Sequence, residues 1–443
     1  MGKYFGTDGI RGPISQKLNY NIAVKCGQAL AEYRPKPKVI LAKDTRPSGN
    51  ILASGLTLGI ISGSGSVVDI GVCPTAGVAF ITKVLEADYG VVITASHNPP
   101  EYNGIKIFNS EGEKLGEAEE REIESIMDRP TELNYYSKGS VVISNELVDI
   151  YTEYLENINI ENFSGIKVVL DTANGASVEV AKRVFSDLGA CVVTVGASLD
   201  GLYINECCGA LHPELLIQQV REENADIGFA FDGDADRVIA VTNSGEVLDG
   251  DRILLILAKY LKEHNRLNAN TVVVTQQTNQ GIVNTLEKLG IHAIRTKVGD
   301  KFVIEKIDEQ NLSLGGEKSG HIIIKEFSNT ADGILTAVVL TGILKSTKKD
   351  LSNLAKVDLV PSIEIDCVTS FASKIINFIE LKELVQTIES SLVGSGRVVV
   401  RKSGTEPIIR ILVEAQSKQI CRGLAEQIAK VVFKLHDELA DKN

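Results

Sequence analysis

The sequence predicts an α/β fold made of three similar mixed α/β domains and a smaller α+β domain at the C-terminus. Three observations support this prediction. An apolar strand, an amphipathic helix and a second apolar run recur three times, which is typical of βαβ units in a largely parallel sheet. The repeat ends near residues 357–362, and a shorter unit with two strands and a long final helix follows it. The length of 443 residues also favours several domains over one.

The repeated units have the same order of elements. Their first strands begin at Val39, Val168 and Val272, and their helices are predicted over residues 51–61, 178–188 and 281–289. In the last unit, residues 397–401 and 408–414 are the predicted strands, and residues 417–439 are the predicted helix. The predicted domains are residues 1–148, 149–249, 250–360 and 361–443.

Composition and charge exclude several classes of function. The chain is 44% hydrophobic and 23% charged, as in soluble globular proteins, and it has no apolar run long enough to span a bilayer. A formal charge of −12 argues against a nucleic-acid partner. The seven cysteines are scattered and include no C-x-x-C pair, so we expect reduced thiols in a cytoplasmic protein that does not bind membranes.

Each repeated unit ends a buried strand in a polar loop. The loops follow apolar runs at residues 90–93, 227–231 and 312–315. Ligands of open α/β sheets bind outside the carboxyl ends of the strands. The three loops are therefore expected to converge on one deep central cleft.

The first loop presents a serine. Ser96 follows an apolar strand, and Asn98-Pro99-Pro100 can continue neither a strand nor a helix. No G-x-S-x-G elbow surrounds Ser96, so acyl transfer is not indicated. Ser96 alone would more often be a turn residue, but beside a metal loop it becomes a candidate carrier of a phosphoryl group. His97 is expected either to orient this loop or to cap it.

The second loop contains three carboxylates. Asp232, Asp234 and Asp236 alternate along the chain, so in an extended loop their side chains can point the same way. Such like charges are costly unless a cation lies between them, and ligation by oxygen alone favours magnesium. An EF-hand is excluded because Arg237 and Asn243 occupy the positions that need Gly and Glu. The alternative is a solvated acidic turn.

Further polar residues have the chemistry to bind a phosphosugar. One set of residues supplies hydroxyls, a glycine amide and guanidinium groups that could cradle a phosphate. The set is Arg401, Ser403, Gly404, Thr405 and Arg410. The third loop carries Glu317, Ser319 and His321, which suit hydrogen bonds to sugar hydroxyls. Lys106 is a candidate for proton transfer or phosphate contact.

Together these loops resemble those of the α-D-phosphohexomutase superfamily, and the resemblance covers essentially the whole chain. The similar segments are residues 94–99 (phosphoserine loop), 232–237 (metal loop), 316–321 (sugar loop) and 401–407 (phosphate loop). The resemblance implies a four-domain, heart-shaped fold. It also implies that Ser96 is phosphorylated and that its phosphate oxygen, with the three aspartates, holds one Mg²⁺. The sugar would then contact Glu317 and Ser319, and the phosphate loop with Arg410 would hold the phosphate that is not reacting.

Within the superfamily, residues 3–12, 211–214 and 403–407 and Asn205 resemble the branch that acts on glucosamine phosphates. The resemblance implies an isomerase that interconverts glucosamine 6-phosphate and glucosamine 1-phosphate through a sugar 1,6-bisphosphate, for cell-wall precursor synthesis, as a monomer or homodimer. Arg237 would help to neutralise the transferred group, and Arg11, Lys106 and His321 are the candidates for moving the proton. A branch acting on mannose or glucose phosphates, or a metal-dependent sugar phosphatase, is the alternative.

Overall fold

The computed structural model describes residues 2–6, 8–130, 133–134, 136–158, 162–394, 396–403 and 407–441. The chain divides into two compact units. The first contains Met1–Val273 and Gly299–Lys356, and the second contains Val274–Val298 and Val357–Asn443. These units do not coincide with the four predicted domains, whose boundaries stay predictions.

The N-terminal part of the first unit contains a mixed sheet with helices against it. Its elements are β1 (Ile10–Pro13), α1 (Tyr20–Tyr33), β2 (Lys38–Lys43), α2 (Gly49–Ser62), β3 (Ser66–Val72), α3 (Thr75–Val84), β4 (Tyr89–Ile93), β5 (Tyr102–Phe108), α4 (Glu117–Met127) and β6 (Ser140–Ile143). The strand order is β1-β5-β4-β2-β3-β6. Strands β4, β2, β3 and β6 are parallel, whereas β5 is antiparallel to β4 and to β1.

A second mixed sheet of the first unit repeats this plan. After a 3₁₀ turn (Asn145–Leu147), the elements are α5 (Val148–Ile158), β7 (Lys167–Asp171), α6 (Val178–Asp187), β8 (Cys191–Val195), α7 (Glu214–Glu222), β9 (Ile227–Phe231), β10 (Val238–Thr242), β11 (Val247–Leu248) and α8 (Gly250–Glu263). The strand order is β11-β10-β9-β7-β8. Strand β7 is parallel to β8 and β9, and β10 is antiparallel to β9 and β11.

The third repeat is shorter. After a 3₁₀ turn (Asn268–Asn270), its elements are β12 (Thr271–Thr275), α9 (Gln280–Lys288), β13 (His292–Thr296), α10 (Asp300–Glu309), β14 (Leu314–Gly316), β15 (Ile322–Ile324), α11 (Gly333–Thr347) and α12 (Leu351–Leu354). Val273 of β12 pairs with Gly315 of β14 in parallel, and β14 is antiparallel to β15. Helix α9 and strand β13 belong to the second unit.

The three polar loops have equivalent positions in these sheets. Each connects a buried strand to its antiparallel neighbour: β4 to β5, β9 to β10, and β14 to β15. Strands β4 and β9 are buried along their whole length. Burial on both faces explains why both read as continuous apolar runs in the sequence. The loops therefore leave the carboxyl ends of core strands, as predicted.

The second unit also contains the C-terminal sheet. Its elements are β16 (Ser362–Val368), α13 (Ala372–Ile375), α14 (Ile379–Ser391), β17 (Arg397–Lys402), β18 (Ile408–Glu414) and α15 (Lys418–Ala440). The sheet is antiparallel, in the order β16-β18-β17. The mixed sheets and this small α+β unit confirm the predicted fold class.

Helix starts follow local capping chemistry. The side chain of Asp249 accepts a hydrogen bond from the Arg252 N–H at the start of α8, at 3.1 Å. Ser417 does the same for Ile420 at the start of α15, at 3.3 Å. A side-chain oxygen at this position satisfies one of the first-turn N–H groups, which have no partner within the helix. Among the described residues, no helix combines the length and apolarity that crossing a bilayer requires.

Candidate active site

The serine loop holds Ser96 against the acidic loop. Ser96 is buried and has a left-handed backbone, with φ of 53°. Its Oγ donates a hydrogen bond to Oδ2 of Asp232 at 2.6 Å and lies 3.2 Å from Nδ1 of His97. Its N–H donates to Oγ1 of Thr94 at 2.9 Å. A left-handed backbone conformation is energetically costly for a residue other than glycine, so surrounding contacts must stabilise it.

A buried ion pair lies beneath this loop. Arg46 donates through Nε to Oδ2 of Asp44 at 2.9 Å, and both side chains are inaccessible to solvent. Its terminal nitrogens donate to the carbonyl oxygens of Ser96, Asn98, Pro99 and Tyr102. The guanidinium therefore fixes the backbone of the serine loop. Sequence reasoning missed this residue, although a charged pair just after β2, at the carboxyl end of a parallel strand, was a usable signal.

A second clamp on the serine loop comes from the second repeat. The side-chain amide of Asn205 donates to the carbonyl oxygens of Ser96 at 2.9 Å and Asn98 at 3.0 Å. Asn205 itself has a φ of 60°, a conformation that asparagine tolerates better than most residues. From the sequence, Asn205 is notable only as part of the family resemblance. The structure shows that its side chain contacts the backbone of the serine loop.

The three aspartates converge, but not for the predicted reason. Asp232, Asp234 and Asp236 are buried, and one ligand oxygen from each lies within 4.8 Å of the others. The loop is a turn rather than an extended segment: Ala235 has a φ of 58° and donates its N–H to the Asp232 carbonyl oxygen at 3.0 Å. The prediction of an extended loop was wrong, because a tight turn brings the carboxylates together.

These carboxylates can hold a metal ion. Oδ1 of Asp234 and Oδ1 of Asp236 are buried and make no hydrogen bond among the described residues. Buried carboxylate oxygens normally have a partner. Oxygen-only donors at short mutual distances suit a hard divalent cation. The donor set therefore fits the predicted kind of ion.

Lys106 lies among the carboxylates. Its ammonium group donates to Oδ2 of Asp234 at 2.8 Å and to Oδ2 of Asp236 at 2.6 Å, and it lies 3.0 Å from Asp8. Burial acts to lower the pKa of Lys106, but these three carboxylates outweigh it and raise the pKa well above its usual range. Lys106 therefore stays protonated and neutralises acidic charge.

The aspartates differ in electrostatic environment. Burial raises the pKa of Asp232 well above its usual range, and the nearby Asp236 and Asp234 raise it further. Burial also acts to raise the pKa of Asp236, but the charges of His321 and Lys106 outweigh it and leave the pKa lowered. Of these two residues, Asp232 is therefore the one whose negatively charged form is disfavoured by its surroundings. Asp232 is also the residue that contacts Ser96.

His97 is held neutral. Burial, together with the positive charges of Arg237 and Arg11, lowers the pKa of His97 to about 2. A neutral imidazole beside the Ser96 hydroxyl can orient it by a hydrogen bond. The structure thus places the His97 imidazole next to the Ser96 hydroxyl, and its role in orienting or capping the loop stays a prediction.

Two arginines border the same loops. Arg11 donates to Oδ1 of Asn98 at 3.2 Å and to Oδ2 of Asp8 at 2.8 Å. The Arg237 N–H donates to Oδ1 of Asp232 at 3.1 Å, while its side-chain Nε lies 4.0 Å from Oδ2 of the same residue. Both predicted cations are therefore brought to the serine and acidic loops.

The sugar loop presents polar groups in a buried setting. Oε1 of Glu317, which is 7% exposed, accepts a hydrogen bond from the Gly299 N–H at 2.8 Å. Oγ of Ser319 and Nδ1 of His321 are buried without a hydrogen bond among the described residues. Such groups are costly to bury unless something pairs with them.

The sugar loop packs directly on the acidic loop. His321 forms a β-bridge with Arg237, and Nε2 of His321 lies 3.4 Å from Oδ1 of Asp236. The Val238 N–H donates to the Gly320 carbonyl oxygen at 3.1 Å. Gly320 has a φ of 94°, and a Cβ there would lie 2.3 Å from the Val238 carbonyl oxygen, so only glycine allows this approach.

The predicted phosphate residues lie in the second unit. Arg401 of β17 and Arg410 of β18 are directly opposite each other, and Nε of Arg410 lies 3.7 Å from Oδ1 of Asp366. Like charges directly opposite each other across two strands are destabilising. Ser403 ends the described part of this loop. Gly404 and Thr405 lie outside the described residues.

Family models match nearly the whole chain. The models for the phosphoglucomutase/phosphomannomutase α/β/α domains I, II and III match residues 2–134, 149–245 and 249–360. The model for the phosphoglucomutase/phosphomannomutase C-terminal domain matches residues 350–431.

Individual proteins are similar over their full length. The phosphoglucosamine mutase of Geobacillus thermodenitrificans (strain NG80-2) is 43% identical over 441 residues, which is 98% of each chain. The crystal structure of a phosphoglucomutase/phosphomannomutase family protein from Burkholderia thailandensis has a TM-score of 0.82 at 26% identity and covers 97% of this chain and 96% of its own. An Aspergillus fumigatus N-acetylphosphoglucosamine mutase, solved with GlcNAc-6P and magnesium, has a TM-score of 0.69, with coverage of 98% and 96%. At 18% identity, that last likeness shows the fold alone.

Proposed function

The chain belongs to the phosphoglucomutase/phosphomannomutase family, and we propose that it interconverts glucosamine 6-phosphate and glucosamine 1-phosphate. The observation that carries the proposal is the contact of a buried serine hydroxyl with a cluster of three buried carboxylates. The 43% identity to a phosphoglucosamine mutase supports the choice of sugar.

Ser96 is the proposed carrier of the phosphoryl group. In the first half-reaction the bond between phosphorus and the Ser96 oxygen breaks, and a bond forms to the free hydroxyl of the substrate, which loses its proton. The resulting 1,6-bisphosphate turns round. Its other phosphoryl group then passes to Oγ of Ser96, and the released sugar oxygen takes up a proton. A trace of the bisphosphate would serve to phosphorylate resting enzyme.

Asp232, Asp234 and Asp236 are the proposed ligands of one magnesium ion, together with an oxygen of the phosphorylated serine. Oδ1 of Asp234 and Oδ1 of Asp236, which make no hydrogen bond among the described residues, support this assignment. When bound, the ion would neutralise negative charge on the transferred group. Lys106 and Arg237 supply fixed positive charge at the same loops, so the field is already oriented before the reaction begins.

His321 is the proposed group that moves the proton of the sugar hydroxyl. Lys106 is held by three carboxylates with a raised pKa, so it is a poor proton acceptor. The guanidinium of Arg11 keeps its proton in proteins. In contrast, His321 is buried with Nδ1 lacking a hydrogen bond in the described part of the chain. An imidazole nitrogen that is not already engaged in a hydrogen bond is a suitable group for moving a proton.

Substrate binding is assigned to two sets of residues. Glu317 and Ser319 would hydrogen-bond the sugar hydroxyls, and the buried Ser319 hydroxyl supports this role. Arg401, Ser403 and Arg410, with Gly404 and Thr405, would hold the phosphate that is not reacting. The two arginines facing each other across β17 and β18 support an anion site there.

The test is kcat/KM for glucosamine 1-phosphate beside glucose 1-phosphate and mannose 1-phosphate, with magnesium and a trace of the matching 1,6-bisphosphate. We expect a strong preference for the amino sugar and no release of inorganic phosphate. A preference for glucose or mannose would retain the mechanism but overturn the substrate. Stoichiometric release of phosphate without isomerisation would overturn the mutase reaction in favour of a phosphatase.

A further inference from the structure

Thr75, the first residue of α3, binds the acidic loop of the second sheet. Its N–H donates to the Asp234 carbonyl oxygen at 3.0 Å, and its Oγ1 donates to Oδ2 of Asp234 at 2.5 Å. The two residues are 159 positions apart in the sequence, and both are buried. Thr75 therefore holds the backbone and the side chain of one proposed metal ligand.

The two oxygens of the Asp234 carboxylate have different surroundings. Oδ2 accepts hydrogen bonds from Oγ1 of Thr75 at 2.5 Å and from the Lys106 ammonium group at 2.8 Å. Oδ1 is buried and makes no hydrogen bond among the described residues. Two donors on one oxygen restrict the rotation of the carboxylate about its bond to Cβ. Oδ1 is thus the oxygen that remains available to a cation.

The two donors differ in charge and in the number of carboxylates that they contact. The Lys106 ammonium group also donates to Asp236 and lies 3.0 Å from Asp8, and its positive charge repels a nearby cation. The Thr75 hydroxyl is neutral and donates its single proton to Asp234. A neutral donor can orient a metal ligand without repelling the metal ion. The geometry therefore gives Thr75 a role that Lys106 cannot duplicate.

The position of Thr75 is itself fixed by the helix that it begins. Pro74 precedes it with a φ of −54°, and residues 75–79 are all buried. The first N–H groups of a helix have no partner within the helix, and the Asp234 carbonyl oxygen pairs with the first of them here. Because a buried helix start cannot shift without repacking its neighbours, Thr75 is a rigid anchor for the acidic loop.

We propose that Thr75 is a positioning residue of the magnesium site and that it orients the Asp234 carboxylate so that Oδ1 is free to bind the ion. This role rests on the proposed function, because Asp234 is a proposed ligand of that ion. Hydrogen bonds from residues behind the ligands commonly set ligand orientation, and losing one typically costs about 10- to 100-fold in metal affinity. Without the Thr75 hydroxyl, Oδ2 keeps Lys106 as a partner, so the fold should tolerate the loss while the carboxylate gains rotational freedom.

Isothermal titration calorimetry of the full-length protein with magnesium chloride tests this role. We expect Thr75→Val to raise the Kd for magnesium at least about tenfold, because valine keeps the shape of threonine but donates no hydrogen bond. Thr75→Ser keeps the hydroxyl and should bind magnesium with nearly the affinity of the unmodified protein. Thr82→Val is the matched control, because Thr82 is buried in the same helix and donates to the Val78 carbonyl oxygen at 2.7 Å. This control should keep its magnesium affinity even if urea unfolding shows a loss of stability.

The measured affinities distinguish the role of Thr75 from the metal site on which it depends. All four proteins are compared in the same phosphorylation state of Ser96, checked by mass spectrometry. An unmodified protein that does not bind magnesium would overturn the metal site and, with it, the role of Thr75. Unchanged affinity in Thr75→Val would overturn the role of Thr75 alone. So would an equal loss in Thr75→Ser or in Thr82→Val, since the packing of α3 and not the Thr75 hydroxyl would then set the affinity.

Discussion

Oγ of Ser96 lies 2.6 Å from Oδ2 of Asp232, across 136 residues of sequence. The contact joins the serine loop of one sheet to the acidic loop of another. Because burial raises the pKa of Asp232 and lowers that of His97, the hydroxyl sits between a crowded carboxylate and a neutral imidazole.

Replacing Ser96 by alanine should abolish isomerisation while leaving the fold intact. The change removes the proposed phosphoryl carrier and only one hydroxyl from a buried site, so turnover should fall by about three orders of magnitude or more. Steady-state kinetics and ³²P incorporation from labelled bisphosphate measure the effect. The exposed Ser54→Ala variant should be labelled and active, and substantial turnover by Ser96→Ala would rule out the carrier role.

Asp234→Asn should weaken divalent-metal binding. Oδ1 of Asp234 has no hydrogen bond among the described residues, whereas Oδ2 is held by Lys106 and Thr75. Losing the charge of one ligand should reduce magnesium affinity at least about tenfold. Isothermal titration calorimetry with magnesium measures this affinity and needs no activity assay. The control is Asp187→Asn, at an exposed carboxylate, which should bind magnesium like the unmodified protein. Unchanged affinity in Asp234→Asn would contradict the assignment.

Asn205→Ala should lower kcat more than it changes KM. Asn205 touches the backbone of the serine loop and acts through the position of Ser96. Because small displacements of a reacting group cost up to about a hundredfold in rate, we expect kcat to fall about 10- to 100-fold. Steady-state kinetics with saturating bisphosphate measure the changes in kcat and KM separately. Asn377→Ala, which alters an exposed amide, is the control. A rise in KM alone, or a similar loss of magnesium affinity, would argue against a positioning role.

Arg410→Ala should mainly raise KM. Its guanidinium is proposed to bind the non-reacting phosphate in both the ground state and the transition state, so the loss is one of uniform binding. A charged hydrogen bond of this kind is worth about 1.5–3 kcal/mol, which predicts a KM increase of about 10- to 100-fold. Arg422→Ala, at an exposed arginine of α15, should leave KM unchanged. A fall in kcat at constant KM would contradict this assignment.

Asp332→Asn should remove a pH dependence of stability. Burial raises the pKa of Asp332 to about 6, although its carboxylate caps α11 and accepts from the Tyr151 hydroxyl at 2.8 Å. The folded protein therefore holds this proton more tightly than the unfolded chain. Its contribution to stability is complete below about pH 4 and is lost as the pH rises to about 6, a change of about 2–3 kcal/mol.

Asparagine can keep both hydrogen bonds of Asp332, since its oxygen can cap the helix while its amide donates to Tyr151. The measurement is urea unfolding of both proteins between pH 4 and pH 7. Asp171, whose pKa burial also raises to about 6, is common to both and cancels in the difference. The stability of the asparagine variant relative to the unmodified protein should rise across this range. A difference independent of pH would refute the raised pKa.

Local patterns were sufficient for much of the fold. The buried strand Ile227–Phe231 has the predicted bounds, and the helix predicted over residues 417–439 forms as Lys418–Ala440. A short apolar run ended by Asp, Asn or Pro predicts a core strand and the turn that follows it. Both signals depend only on residues that are close together in the sequence. For the same reason the sequence located the serine, acidic and sugar loops at strand ends.

Local sequence patterns thus predict the fold class, the order of the loops and most of the candidate site residues. Which residues support these loops depends on the packing of the whole chain. Arg46 and Asn205 reach the Ser96 carbonyl from 50 and 109 residues away, and Lys106 lies between carboxylates of two sheets. Such contacts depend on how separate strands and turns pack in three dimensions, and no local pattern encodes that packing.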